Sequence, residues 1–269
     1  MENLHEKGLV LLGCGKMGSA MLRGWLDDGL PPQSVWVLDP MPSQWLQGTG
    51  VHLNEEFPKA PALALVAVKP QMMGEALPRL AALGGGQTLI VSVAAGTPIA
   101  AFEAVLGADT PIIRAMPNTP AAVGKGITAI IGNTRTRAAD LGMAETLLRA
   151  VGQVVRLENE AQLDAVTAVS GSGPAYVFHL IEAMAAAGEA QGLAADLALH
   201  LARATVAGAG ALAEAAEEGP GQLRVNVTSP GGTTQAALEV LMDEENGFAP
   251  LLDRAVRAAA DRSRELANG

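Results

Sequence analysis

The chain has one cysteine, few aromatics and no cluster of positive charge. Cys14 stands alone among 269 residues, which excludes an internal disulfide and a cysteine-built metal cluster. Aromatic residues make up 3% of the chain, so Ala, Gly, Val and Leu must fill the core. Such small side chains suit close layers of helix on sheet and helix on helix. Lys and Arg total 18 against 28 Asp and Glu, a net charge of −10, with no basic run. Such a chain repels phosphate backbones, which argues against nucleic acid as a partner. No segment reaches the roughly 18 unbroken apolar residues of a membrane span, and the opening MENLHEKG is too polar for a signal peptide. A cytoplasmic protein with no membrane partner and no metal is expected.

The residues that are present organise around KGLVLLGCGKMG, residues 7–18. A four-residue apolar run, 9–12, leads into Gly13, Gly15 and Gly18 in the spacing G-x-G-x-x-G, and a helical pattern follows over 19–26. In a strand–turn–helix of this kind each glycine has a task. Gly13 permits the sharp turn, Gly15 lets backbone approach a pyrophosphate, and Gly18 lets the helix pack close to the strand. The uncapped amides of the helix start then face the phosphates. Glycine spacing alone would fit an ordinary turn. Here Asp39 lies 21 residues beyond Gly18, at the end of the next apolar run, where an acid commonly binds the adenosine ribose.

Further continuous apolar runs at 63–68, 88–93, 111–115 and 126–131, with a short one near 154–155, alternate with helical patterns at 71–83, 98–106 and 135–151. Continuous rather than alternating runs predict a parallel sheet covered on both faces. The carboxyl ends of these strands carry the glycine turn, Asp39, Lys69-Pro70, residues 94–96 and residues 116–120. Ligands of open parallel sheets bind at that rim. Beyond residue 157 the pattern changes to Ala-rich helical stretches at 161–169, 175–191, 196–216, 222–227, 233–242 and 248–266, with a break expected at Gly171, Gly173 and Pro174. The expected fold class is therefore α/β. An N-terminal Rossmann-like doubly wound parallel sheet, residues 1–158, precedes an all-helical domain, residues 159–269.

A second constellation, Ser229-Pro230-Gly231-Gly232-Thr233-Thr234, lies between two of those helices. Ser229 suits an N-cap and Pro230 a first helical position. The glycines leave amides uncovered that would hold a small carboxylate, although a plain helix start reads equally well.

Five stretches occur in order: GCGKMG at 13–18, AVKP at 67–70, RAMPNTP at 114–120, VSGSGPAY at 169–176 and TSPGGTT at 228–234. With them the chain closely resembles the pyrroline-5-carboxylate reductase family over nearly its whole length. The resemblance implies reduction of 1-pyrroline-5-carboxylate to L-proline, the last step of proline biosynthesis, with hydride from NADPH or NADH. It also implies that the helical domain is a dimerisation domain, in a family whose dimers often assemble into rings. Carried over by motif, Gly13, Cys14, Gly15, Lys16, Met17 and Gly18 would hold the pyrophosphate. Ala67, Val68, Lys69 and Pro70, with Met116, Asn118 and Thr119, would lie near the ribose and nicotinamide. Ser229, Gly231, Gly232 and Thr233 would hold the substrate carboxylate, Asn226 would line the same pocket, and Thr234 would hydrogen-bond the ring nitrogen as the catalytic residue.

The chain departs from the family's NADPH users at one place. Pro40 follows Asp39, and no Lys or Arg occurs from there to Gly50. A carboxylate favours a free 2′-hydroxyl and repels a 2′-phosphate, so NADH is usable on local grounds while the resemblance points to NADPH. Two other readings compete. An imine or 3-hydroxyacid reductase shares the two-domain plan, but residues 161–169 lack the lysine a 3-hydroxyacid enzyme would bring. A nucleotide-binding sensor without turnover would leave residues 229–234 unexplained.

Overall fold

The computed structural model describes residues 2–268. Eight strands, β1 (Leu9–Leu12), β2 (Val35–Leu38), β3 (His52–Leu53), β4 (Leu63–Val66), β5 (Leu89–Ser92), β6 (Ile112–Met116), β7 (Gly126–Gly132) and β8 (Gly152–Arg156), form one sheet in the order β3-β2-β1-β4-β5-β6-β7-β8. The helices of this half are α1 (Glu2–Lys7), α2 (Lys16–Asp27), α3 (Gln44–Gln47), α4 (Met73–Ala76), α5 (Ile99–Leu106) and α6 (Ala138–Arg149).

Strands β1, β4 and β5 are buried at every position, because their side chains, apolar but for Ser92, alternate between two cores. Leu9, Leu11, Leu63 and Leu65 face a layer made by Met21, Leu22 and Trp25 of α2 and Leu147 and Leu148 of α6. Val10, Leu12, Ala64 and Val66 face Leu77, Leu80, Phe102 and Leu106 on the other side. The Trp25 indole N–H is spent on the Leu147 carbonyl at 2.9 Å, which joins α2 to α6 inside the first layer.

Three expectations need correction. The sheet is not wholly parallel, since β6 and β7 pair antiparallel. The connection between them, residues 117–125, carries one 3₁₀ turn and is too short for a parallel crossover. The expected helix over 71–83 is broken into a 3₁₀ turn, the four-residue α4 and a second 3₁₀ segment, Leu77–Leu83. Pro78 supplies no backbone N–H there. Helix α6 starts at Ala138 rather than 135, because the Asp140 carboxylate accepts the Arg137 N–H at 2.8 Å and fixes the helix start.

After β8 the chain is helical: α7 (Gln162–Val166), α8 (Gly173–Ala190), α9 (Ala195–Ala215), α10 (Pro220–Asn226), α11 (Thr233–Leu241) and α12 (Phe248–Asn268). The break expected at 171–174 takes the form of a π-helical turn, Thr167–Gly171, after which α8 restarts with Pro174 in its first turn, where a missing N–H costs nothing. Two compact units emerge, residues 1–171 with 259–269, and residues 172–258. Strands give way to helices at Arg156, yet α7 and the π turn belong with the sheet. So does the end of α12, where the Ser263 hydroxyl donates to Asp164 at 2.7 Å. In the second unit α8 and α9 pack as a hairpin. Its helices bury few side chains and leave Phe178, Leu212, Val225, Val227, Val240 and Leu251 exposed.

Candidate functional site

The sheet order reverses between β1 and β4, which makes their carboxyl ends the crevice of a doubly wound fold. The glycine turn fills that position, and each glycine there answers to a different neighbour. Gly13 takes φ +89, and a side chain on it would press Val68 Cγ1 at 2.9 Å. A Cβ on Gly18 would collide with the Gly13 carbonyl oxygen, so strand and helix approach too closely for any other residue. A Cβ on Gly15 would meet no protein atom within 4 Å. Nothing in the protein therefore requires glycine at 15, and the open space fits a pyrophosphate. Gly15 is the N-cap of α2 and supplies no side-chain cap, and no acid stands in the first turn. The amides of Lys16, Met17 and Gly18 are thus left for an anion.

Asp39 sits at the end of β2, 9% exposed. Its carboxylate accepts the Cys14 N–H at 2.7 Å and the Met41 N–H at 2.8 Å. Asn54, in the left-handed region at φ 55, pins the Asp39 backbone from both sides, accepting its N–H at 2.9 Å and donating to its carbonyl at 2.8 Å. Cys14 is buried, and burial with the nearby Asp39 charge pushes its thiol up to about 11. It is an inert spacer.

Ala67 lies in hydrogen-bond register with β1, its N–H donating to Leu12 at 2.8 Å, so Ala67 and Val68 border the glycine turn directly. Lys69 and Pro70 continue outward and are exposed. At the end of β6, Met116 packs so closely on the π turn that a Cβ on Gly171 would approach its Cε at 2.5 Å. Asn118 spends its side chain on the protein, accepting the Ile127 N–H at 2.9 Å and donating to Ser170 Oγ at 3.3 Å. It shapes the loop that carries Thr119. Ser170 was not singled out from sequence. The π turn that presents it is a departure often found at functional sites, and the 169–176 stretch contained Ser170 without giving it a role.

In the helical unit, residues 229–234 join α10 to α11. Helix α11 does not start at Pro230. Gly231 lies at φ +70, and the Gly232 N–H donates to the Ser229 carbonyl at 3.0 Å. Pro-Gly thereby forms the centre of a tight turn, as Pro followed by a left-handed glycine favours. The N-cap is Gly232, which leaves the first-turn amides of Thr233, Thr234 and Gln235 without a side-chain acceptor. Ser229 and Thr233 are exposed and Thr234 is half-buried. Asn226, at the end of α10, accepts from Gln222 Nε2 at 2.8 Å. Sequence reading missed Gln235, whose Oε1 accepts the Gly231 N–H at 2.7 Å. Its position three residues after the N-cap was the available signal.

Two family models match the chain. A family model described as pyrroline-5-carboxylate reductase dimerisation matches residues 160–266. One described as NADP oxidoreductase coenzyme F420-dependent matches residues 8–96, which contain the glycine turn and Asp39. The pyrroline-5-carboxylate reductase of Pseudomonas aeruginosa is 41% identical over 96% of both chains. That of Pisum sativum is 38% identical over 96% of this chain and 95% of its own. Among solved structures, a pyrroline-5-carboxylate reductase from Coxiella burnetii aligns with a TM-score of 0.89 at 33% identity, over 97% of this chain and 98% of that one. The Plasmodium falciparum pyrroline carboxylate reductase, solved with NADP bound, gives 0.84 at 27% identity over 98% and 99%.

Proposed function

The chain belongs to the pyrroline-5-carboxylate reductase family, and on that premise we propose which of its residues carry out the family's reaction. The protein is an NAD(P)-dependent oxidoreductase that reduces 1-pyrroline-5-carboxylate to L-proline. The nicotinamide cofactor supplies the hydride. Lys16, Met17 and Gly18 bind its pyrophosphate through their amides over the open space at Gly15, while Gly13 and Cys14, whose own N–H groups are held by Leu38 and Asp39, form the turn that places them. Asp39 takes the adenosine ribose. Ala67, Val68, Lys69 and Pro70 border the ribose on the nicotinamide side, and Met116 and Thr119 flank the ring with Asn118 holding their loop.

Ser229, Gly231 and Thr233 hold the substrate carboxylate, with Gly232, whose N–H donates to Ser229, closing the turn and Asn226 lining the same pocket. The uncapped start of α11 favours an anion there. Thr234 Oγ1 hydrogen-bonds the ring nitrogen and holds a proton at that atom. An imine whose nitrogen is protonated or hydrogen-bonded accepts hydride at carbon without further acid–base help, so a single positioned hydroxyl suffices. His179 and His200 are exposed on their helices and take no part. Thr234→Ala is expected to lower kcat by roughly tenfold or more, the scale of one positioned proton donor, with cofactor KM unchanged. Unchanged turnover would remove Thr234 and the turn from the mechanism.

The protein is a homo-oligomer, and no helix among the described residues is long and apolar enough to cross a membrane. Our reading goes further to a dimer formed by residues 159–269 and grouped into rings. The exposed Phe178, Leu212, Val227 and Val240 support a second copy covering this half. A cytoplasmic site of action belongs to the same reading and suits a chain with a lone reduced thiol.

A further inference from the structure

We propose that Gln235 is a positioning residue that sets substrate affinity, by occupying in the free enzyme one of the amides the substrate carboxylate takes. This rests on the reading of residues 229–234 as the carboxylate site. The ordinary helix-start arrangement has the side chain three residues after the N-cap reach back to the N-cap amide. Here the N-cap is Gly232, whose N–H is already committed to the Ser229 carbonyl at 3.0 Å. The left-handed Gly231 swings its own N–H toward α11 instead, and Gln235 Oε1 accepts it at 2.7 Å. Gln235 Nε2 donates to Glu239 Oε1 at 3.1 Å, one turn further along. The two bonds together determine which end of the carboxamide is oxygen. Glu239 therefore turns a neutral acceptor onto the turn.

A neutral carbonyl on an amide is a weak, displaceable stand-in for a carboxylate, since charge-assisted hydrogen bonds are roughly twice as strong as neutral ones. The site is also solvent-accessible, with Gly231 exposed and Gln235 half-buried, so the side chain has somewhere to go. When the substrate carboxylate takes the Gly231 N–H, Oε1 turns to water while Nε2 keeps its bond to Glu239. The left-handed turn at Gly231 holds the amide in its binding orientation, and Gln235 competes with the substrate for it. Each substrate molecule must break that bond, and KM is higher by the corresponding factor.

The test compares Gln235→Ala and Gln235→Glu in the full-length protein by steady-state kinetics with 1-pyrroline-5-carboxylate. Gln235→Ala frees the amide, and KM for the imine should fall by about three- to tenfold with kcat and cofactor KM unchanged, the scale of one net neutral hydrogen bond. Gln235→Glu puts a charged acceptor on the same amide beside the incoming carboxylate, and KM should rise by more than about tenfold, again at constant kcat. A structural role alone would move kcat or cofactor KM, neither of which should change here. Unchanged KM in both variants, or a KM that rises in Gln235→Ala, overturns the proposal. The Thr234→Ala result judges the turn itself. Lost turnover there with silent Gln235 variants defeats only the competition, and full turnover defeats both.

Discussion

Replacing Asp39 with Ser should move cofactor preference toward NADPH by about 10- to 100-fold. The carboxylate cannot swing away from a bound ribose, because both oxygens are tied to the Cys14 and Met41 amides and Asn54 clamps the backbone on either side. No Lys or Arg from residue 39 to residue 50 offsets it. Two unit charges about 5 Å apart interact by about 3 kcal/mol at an effective dielectric of about 20 and by less than about 1 kcal/mol in water. A rim site lies between these limits, so removing the charge should be worth about 1.4–2.8 kcal/mol against a 2′-phosphate, one to two factors of ten. The assay is the ratio of kcat/KM for NADPH to kcat/KM for NADH in the two proteins. The ratio matters because Asp39→Ser also frees the Cys14 N–H and loosens the glycine turn. That loss falls equally on both cofactors and cancels. A ratio unchanged within twofold would refute the assignment of Asp39 to the ribose and leave it as a brace for the turn.

Three further outcomes follow from the same crevice. Gly15→Ala should fold normally, with cofactor KM raised about tenfold or more, since only a ligand can meet its Cβ. Gly18→Ala should lose about 1–3 kcal/mol of stability as well, because its Cβ would strike the Gly13 carbonyl oxygen. Thermal melts with cofactor titrations separate the two, and equal melting temperatures would contradict the steric account. Cys14 should resist iodoacetamide in the native protein at pH 8, because a thiol raised to about 11 is only roughly 0.1% thiolate there. Alkylation as fast as in urea would show the thiol to be more accessible than its burial implies.

Composition and run length revealed the parallel core because β1 and β4 are apolar at every position and β5 at all but Ser92, as strands covered on both faces require. Strand direction is another matter, since β7 reads the same whichever way it runs. Only the short 117–125 connection betrayed its reversal. Pro78 announced the broken helix at 71–83 and was outweighed by the apolar pattern around it. At the second site the types were legible and the geometry was not. Ser229-Pro230 looks like a helix start, but Pro-Gly with a left-handed second residue makes a turn first, and the helix begins at Thr233, where the 233–242 stretch was read to begin. Asn54, Ser170 and Gln235 act through hydrogen bonds to residues 15, 52 and 4 positions away. Periodicity carries no trace of such partners.

The two proposed anion sites share a device used to opposite ends. Each is a row of main-chain amides opening a helix, and in each the protein's own side chain already holds one amide: Asp39 on Cys14, Gln235 on Gly231. Burial decides what each can do. Asp39 is 9% exposed, charged and doubly bonded, so no ligand displaces it. It subtracts one donor permanently and, in the proposed reading, contributes its charge to the choice of ribose. Gln235 is neutral, half-buried and anchored only at its far end, so a carboxylate can take its place. A fixed acceptor discriminates between ligands, whereas a displaceable one scales the affinity of whichever ligand comes. On this reasoning Asp39 variants should alter a ratio between cofactors with little effect on imine KM, and Gln235 variants should alter imine KM with no effect on that ratio. Crossed effects, with Gln235→Ala shifting the cofactor ratio, would mean that the two rows do not act independently.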